Sequence, residues 1–390
     1  MVLAQEASRC QNDKPLRVLI VCETFLPLIG GAEVHVLKLA QALQAQGLDV
    51  RVATAAKGPE EVEGVVARRL AGFNVYGKRG PFAVARELLP LMTLVRKADV
   101  VHAHYSARMA AIVGAFGRLF RRRIVVTLHG YGTHYSSVRD SRSARFWRWL
   151  SLKTAHEIIA VSEELALVAR RVAPNKPVTV IASGVDTAQF APRERPPRDT
   201  VIVGTVRRLV PKNGLHYLLQ CLPYLDRTAP IRVRLIGDGR DRAKLERLVA
   251  DLHLEDIVEF AGVIQNAELP AALDDLDIVA FPSTAEGTSV AALEAMAAGK
   301  AVVASSVSSY PGLLGSDERG IVVRLFDDTQ SNYEPPDTLP DDALKRLAQA
   351  ISRLAKDPDL RKQYGARARQ YVCDEYDWSA IARRVAEKYR

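Results

Sequence analysis

Short runs of branched apolar residues alternate with amphipathic stretches along almost the whole chain. The first run, residues 16–22 (LRVLIVC), gives way to a helical pattern over 32–46 that stops at Gly47. Runs of this length, rich in Val and Ile, predict strands, and others follow at 49–54, 65–70, 100–104, 124–129, 157–161 and 178–182. Nearly continuous apolar strands separated by helices predict parallel sheets covered on both faces, an α/β architecture. The alternation lapses over 190–200 (FAPRERPPRDT), where proline and charge replace periodicity, and resumes at 201–205. That break predicts a domain boundary, with one Rossmann-like doubly wound domain over 1–190 and a second over 200–372. The second half continues with strands at 231–236, 257–260, 278–281 and 301–304, and with helices at 241–253 and 290–298. Residues 328–340 are polar, carry three prolines and predict a surface insertion, whereas 341–390 is helical in pattern.

Composition narrows the class. With 390 residues, 48% hydrophobic and 25% charged, the chain can bury more than one core, and a disordered tail protein is excluded. No apolar run approaches the roughly 20 residues that span a bilayer, and residues 1–15 lack the apolar stretch of a signal peptide, so a cytoplasmic location is expected. Cys10, Cys22, Cys221 and Cys373 are scattered without metal-type spacing, which predicts free thiols and no structural zinc. The net charge of +9 fits an anionic partner: nucleic acid, an acidic membrane surface or a phosphorylated small molecule. Arg118, Arg121, Arg122 and Arg123 cluster, and Arg139, Arg142, Arg145 and Arg148 recur every three residues beside Phe146, Trp147 and Trp149. This second group is either a basic aromatic face suited to a membrane interface or a solvated helix face.

In open parallel sheets ligands sit beyond the carboxyl ends of strands, so the loops there hold the candidate chemistry. After 16–22, Gly30 and Gly31 precede a helix whose first N–H groups can face an anion; a plain loop-to-helix turn is the alternative. His129 ends an apolar strand, where it can contact a sugar hydroxyl, move a proton or simply fill the core. His102 and His104 share one strand face, the beginning of a metal pair without a third ligand at readable spacing. Arg207, Arg208 and Lys212 follow the strand that opens the second domain, where cations can neutralise a leaving diphosphate or be solvated. In the run 281–305, Glu286 occupies a Gly-containing loop with Thr288, Ser289 and Val290, and Glu294 falls about 12 Å further along a helix of small residues. Two carboxylates so spaced can touch different parts of one elongated ligand, Glu294 holding a ribose diol; a salt-bridged helix surface is the alternative.

The run 286–305, Arg208-Leu209-Val210-Pro211-Lys212-Asn213-Gly214, Gly30-Gly31-Ala32-Glu33, Leu128-His129-Gly130, Ser183-Gly184-Val185-Asp186 and Ile236-Gly237-Asp238-Gly239 stand in an order that resembles retaining glycosyltransferase family 4. The resemblance implies a GT-B fold, two Rossmann-like domains facing across a cleft, with a C-terminal helix at 373–390 returning to the first domain beyond Tyr376-Asp377-Trp378. It implies transfer of a sugar from a UDP- or GDP-linked donor, without metal, to a glycan, lipid-linked or lipopolysaccharide acceptor at the inner face of a membrane. Glu294 would hold the ribose, Glu286 and His129 would lie at the transferred sugar, and Thr288, Ser289 and Val290 would meet its hydroxyls. Arg208 and Lys212 would bind the diphosphate, with Gly30 and Gly31 facing it. The family usually carries its lysine immediately before the glycine, where this chain has Asn213; Lys212 is offset by one, and Arg207 is the other candidate for that role.

Asp275-Leu276-Asp277 matches the letters of a metal-binding D-x-D motif, yet its place before a strand predicts a helix end. No cofactor or metal is expected. A nucleotide-sugar epimerase, a glycoside phosphorylase and a catalytically silent membrane-binding protein are the alternatives. Nucleic acid is not an expected partner, because no basic aromatic sheet motif or helix module for it is present. Acceptor contacts are expected from first-domain loops, including 78–81 and 139–149.

Overall fold

The computed structural model of the protein describes residues 14–28, 30–70, 81–104, 106–129, 142–193, 195–196, 198–226, 228–286, 288–307, 309–326 and 336–390, with 81–84 as backbone alone. The chain forms two compact units, Met1–Ala182 with Trp378–Arg390, and Ser183–Asp377.

The first unit is built on β1 (Arg17–Cys22), β2 (Asp49–Thr54), β3 (Glu61–Val62), β4 (Val65–Arg69), β5 (Val100–His104), β6 (Arg123–Leu128), β7 (Glu157–Ala160) and β8 (Val178–Val180). Their order across the sheet is β3-β4-β2-β1-β5-β6-β7-β8, parallel except where β3 meets β4. Alternate residues of β1 point to opposite layers. Leu19 and Val21 pack with Val101, Val126 and Leu128, while Val18, Ile20 and Cys22 pack with Val36, Leu39 and Leu43 of the helix Gly31–Ala45. The helix Trp378–Glu387 adds Ile381, Ala382 and Val385 to that second layer.

The second unit holds β9 (Val201–Val206), β10 (Ile231–Ile236), β11 (Val258–Gly262), β12 (Ile278–Phe281), β13 (Ala301–Ser305) and β14 (Ile321–Val323), all parallel, in the order β11-β10-β9-β12-β13-β14. The helix Asp341–Lys356 buries Leu344, Leu347, Ile351 and Leu354 at helical spacing against one face, with Val203 and Leu218. Leu293, Met296 and Tyr310 pack on the other face with Val279 and Phe281.

The unit boundary differs from the expected 190–200. Val185 donates its N–H to the Tyr376 carbonyl at 2.9 Å, and Phe190 is buried in a second-unit core, so 183–190 is tied to the second unit. The proline-rich stretch that interrupts the pattern therefore lies inside this unit, where Arg195 pairs with Asp275. At the other end the helix Pro358–Glu375 runs past the expected start of the returning segment at 373, and Asp377 is held at 2.7 Å by the Thr187 hydroxyl. The chain returns to the first unit at Trp378. The strands β3 and β14, two and three residues long, are too short to show a period of two. Asp275 caps the helix Leu269–Asp274 and pairs with Arg234 of β10, and Asp277 accepts the Ile202 N–H of β9 at 2.8 Å, so the two brace neighbouring strands. Most of the expected insertion at 328–340, the loop 78–80, and Arg139 and Gly130 lie outside the described residues. Among the described residues no helix is long and apolar enough to cross a membrane.

Candidate functional site

In each sheet the strand order reverses beside the first strand, at β1/β5 and at β9/β12. Loops leaving such a pair diverge and open a crevice at the carboxyl ends. In the second unit those two loops carry Arg207 and Glu286.

The Arg207 side chain is 9% exposed and that of Glu286 is 8% exposed, and the two form a salt bridge. The other arm of the guanidinium donates to Ser283 Oγ at 2.7 Å and to the Tyr310 hydroxyl at 2.9 Å. Burial works against the charge of Arg207, but the facing Tyr310 and Glu286 outweigh it and raise its pKa. Lys212 Nζ stands 3.6 Å from Glu286 and is 37% exposed, so one carboxylate sits between two cations. The loops are tied through their backbones: Thr284 N donates to the Lys212 carbonyl at 2.9 Å, and Asn213 Nδ2 donates to the Arg208 carbonyl at 2.7 Å. Gly214 adopts φ +67°, and a Cβ there would lie 1.9 Å from the Pro282 carbonyl oxygen, so only glycine lets the loops touch.

Of the two arginines, it is Arg207 that faces Glu286, whereas the Arg208 side chain is exposed. Neighbouring residues at a strand end point to opposite sides, which separates the pair. Asn213, at the family's usual lysine position, is buried and staples the loop, while Lys212 supplies the second cation beside Glu286.

Ser289 caps the helix Val290–Ala297, its hydroxyl accepting the Ala292 N–H at 3.3 Å. Thr288, Ser289 and Val290 thus stand at a helix mouth, where first-turn N–H groups lack intrahelical partners. One turn in, burial pushes the Glu294 carboxyl up to about 7. Among the described residues no hydrogen bond or ion pair reaches that carboxyl, which excludes the salt-bridged helix surface as its role. Tyr310, which joins Arg207 to Ser289, carries no motif signal and is not legible in the sequence; its chain distance of 103 residues from Arg207 is the reason.

The first unit's crevice holds Gly30, Gly31 and His129. Gly30 caps the helix Gly31–Ala45. A Cβ on it would come within 2.4 Å of Glu33 Oε2, while Glu33 Oε1 accepts from Thr24 Oγ1 at 2.5 Å; the chain's own carboxylate leans on this helix mouth. Gly31 faces open space. His129 follows β6, its Nε2 2.7 Å from His104 Nδ1 and its ring edge-on to His35. Burial holds His35 and His102 down to about 3, and His104 and His129 well below the ordinary histidine value, so all four are neutral at pH 7.

His102 does not form the metal pair that its spacing suggests. Its Nδ1 lies 2.8 Å from the Tyr389 hydroxyl and its Nε2 2.6 Å from Thr127 Oγ1, so both nitrogens are engaged. His35, His104 and His129 instead bring ligand atoms within 4.8 Å of one another and could hold an ion. His35 comes from a helix far away in sequence, which no spacing rule links to the other two.

On the same unit, the helix Arg142–Thr154 exposes Phe146 by 51% and Trp149 by 43%, with Lys153 Nζ 4.5 Å above the Trp149 ring.

Two family matches meet over residues 186–189, a few residues beyond the boundary between the units. A family described as Glycosyltransferase Family 4 matches residues 29–189, and one described as Glycosyl transferases group 1 matches 186–332. A phosphatidylinositol N-acetylglucosaminyltransferase component of Arabidopsis thaliana is 28% identical over 96% of this chain and 81% of its own. The phosphatidyl-myo-inositol mannosyltransferase of Mycolicibacterium smegmatis is 28% identical over 96% and 93%. Among solved structures, Anabaena HepE in complex with UDP superposes with a TM-score of 0.74 at 19% identity, covering 95% of this chain and 99% of that one.

Proposed function

The chain belongs to glycosyltransferase family 4, the group 1 glycosyl transferases, and from that premise we propose a donor and a mechanism for it. The donor is a UDP- or GDP-linked sugar, transferred with retention of configuration and without a metal ion. One observation carries this reading: a buried Arg207–Glu286 pair flanked by Lys212, beside a helix that holds Glu294, a carboxyl with no partner among the described residues. A carboxyl with no partner among the described residues and two cations at the end of a strand match a ligand with a diol at one end and a diphosphate at the other. HepE binds UDP, and a Mycolicibacterium smegmatis relative 28% identical over 95% of this chain is GDP-mannose-dependent, which leaves both bases open.

Glu294 accepts hydrogen bonds from the ribose diol. Arg207 and Lys212 neutralise the diphosphate as its bond to the sugar breaks, a charge that grows in the transition state, and Arg208 meets it from the loop's exposed side. Glu286 holds the two cations in register and faces the sugar, whose hydroxyls reach Thr288, Ser289 and the Val290 backbone. Within the first unit, Gly30, Gly31 and His129 stand at the strand ends that the family resemblance gives a part in transfer, and a neutral His129 can accept or donate one hydrogen bond to a sugar hydroxyl. The departing diphosphate takes the acceptor proton, so no protein base is needed.

The acceptor is a glycan or a lipid-linked molecule, and the unit carrying the helix Arg142–Thr154 rests on an anionic membrane surface. Relatives named for phosphatidylinositol acceptors and the exposed Phe146 and Trp149 among Arg142, Arg145 and Arg148 support this.

The test is calorimetric titration of the full chain, treated with EDTA, with UDP, GDP, ADP and CMP, repeated on Glu294→Ala. Binding of one diphosphate without metal, lost in the variant, is the expected result. Absence of binding to all of them overturns the donor assignment.

A further inference from the structure

The hydroxyl of Tyr310 satisfies a demand that nothing in the proposed chemistry explains. Tyr310 is fully buried and its ring stacks on Phe281, with centroids 5.8 Å apart. Its oxygen accepts from Arg207 Nη1 at 2.9 Å and lies 3.3 Å from both Ser283 Oγ and Ser289 Oγ. The donors and acceptors close on one another. Arg207 Nη1 has two protons, one for Ser283 and one for Tyr310, and Tyr310 donates its own proton to Ser289. Ser289 in turn caps the helix bearing Glu294. One phenol therefore joins the cation at the end of β9 to the helix that carries the ribose carboxylate. A non-polar ring of the same shape would satisfy the packing but leave a guanidinium proton buried without an acceptor, at a cost proteins generally avoid.

We propose that Tyr310 is a positioning residue of the donor site, whose hydroxyl sets the guanidinium of Arg207 against the diphosphate and keeps it in register with the cap of the Glu294 helix. The inference rests on the donor reading above and deepens it. Tyr310 touches no substrate; it acts through Arg207. Its contribution belongs to the distal end of the nucleotide, not to the base or the ribose.

The experiment is a titration of wild-type protein and Tyr310→Phe with a nucleoside diphosphate and the corresponding monophosphate, with the thermal midpoint of each protein measured alongside. Losing one hydrogen bond to a charged group weakens diphosphate binding by about tenfold, with monophosphate affinity unchanged. A merely structural tyrosine would weaken both ligands together with the thermal midpoint, or neither, and either result overturns the proposal. Ser289→Gly, which retains most of the capping but removes the phenol's acceptor, shifts the same ratio in the same direction by a smaller factor. If it leaves the ratio unchanged, the link to the helix cap is refuted. Failure of the wild-type protein to bind any diphosphate removes the donor reading itself, and this inference with it. Equal affinities of wild-type and Tyr310→Phe remove only the inference.

Discussion

Glu294 makes a pH prediction with a definite sign. Its carboxyl titrates near 7 in the folded protein and about 4.3 in an unfolded chain. The folded state holds the proton more tightly, so this residue's contribution is complete below the unfolded value and is lost as pH rises through about 7. Glu294→Gln removes that loss: its stability advantage over wild type in urea titrations grows by on the order of 2–3 kcal/mol between pH 5 and 8. A ribose diol donates to the ionised carboxylate, so nucleotide affinity in the wild type weakens as pH falls from 8 to 6, and a flat affinity profile would contradict the ribose assignment. Lys212 behaves differently. Because its ammonium is 37% exposed, Lys212→Ala changes stability by less than about 0.5 kcal/mol, while transfer rate falls roughly a hundredfold. Denaturant midpoints and turnover on the same preparation separate these. At this scale the motif letters in the sequence mark Glu286, Glu294 and Lys212, but the division of labour between Arg207 and Arg208 depends on which way a strand end turns, and Tyr310 is invisible because its partners are remote in sequence.

Strands and helices are the most legible level, because apolar runs of five or six residues leave few alternatives; what escapes are β3 and β14, two and three residues long and too short to repeat a period of two. Contacts between loops are not legible. Gly214 permits the 211–214 turn to lie against Pro282, and a methyl group there meets the Pro282 carbonyl at 1.9 Å in a left-handed conformation. Gly214→Ala therefore lowers unfolding free energy by more than about 2 kcal/mol and separates Lys212 from Glu286, so nucleotide binding is lost even at temperatures where the protein stays folded. Circular dichroism melts and calorimetry measure the two effects. The helix Arg142–Thr154 tests the membrane reading: Arg142/Arg145/Arg148→Glu abolishes flotation with anionic vesicles while leaving diphosphate affinity intact. Unchanged flotation would make it the solvated face that its charge also permits.

At the scale of the molecule, a chain end belongs to a unit that its sequence neighbours do not. Ile381 and Val385 are buried in the first unit, and Tyr389 bonds His102 at 2.8 Å. Deleting 378–390 opens that core, and hydrogen exchange is expected to rise in β1 and the helix Gly31–Ala45 while β9 to β14 stay protected. Accelerated exchange in the second unit would refute this. Local alternation and turn chemistry were enough to determine two α/β units, their longer strands and the strand-end loops that hold the candidate residues, since each depends on residues within a few positions of one another. The boundary at 182/183, which of Arg207 and Arg208 pairs with Glu286, the His35–His104–His129 cluster and the Tyr310 link were decided by tertiary structure alone. Each depends on contacts between segments far apart in sequence, where burial removes water as a partner and packing chooses which polar groups must satisfy one another.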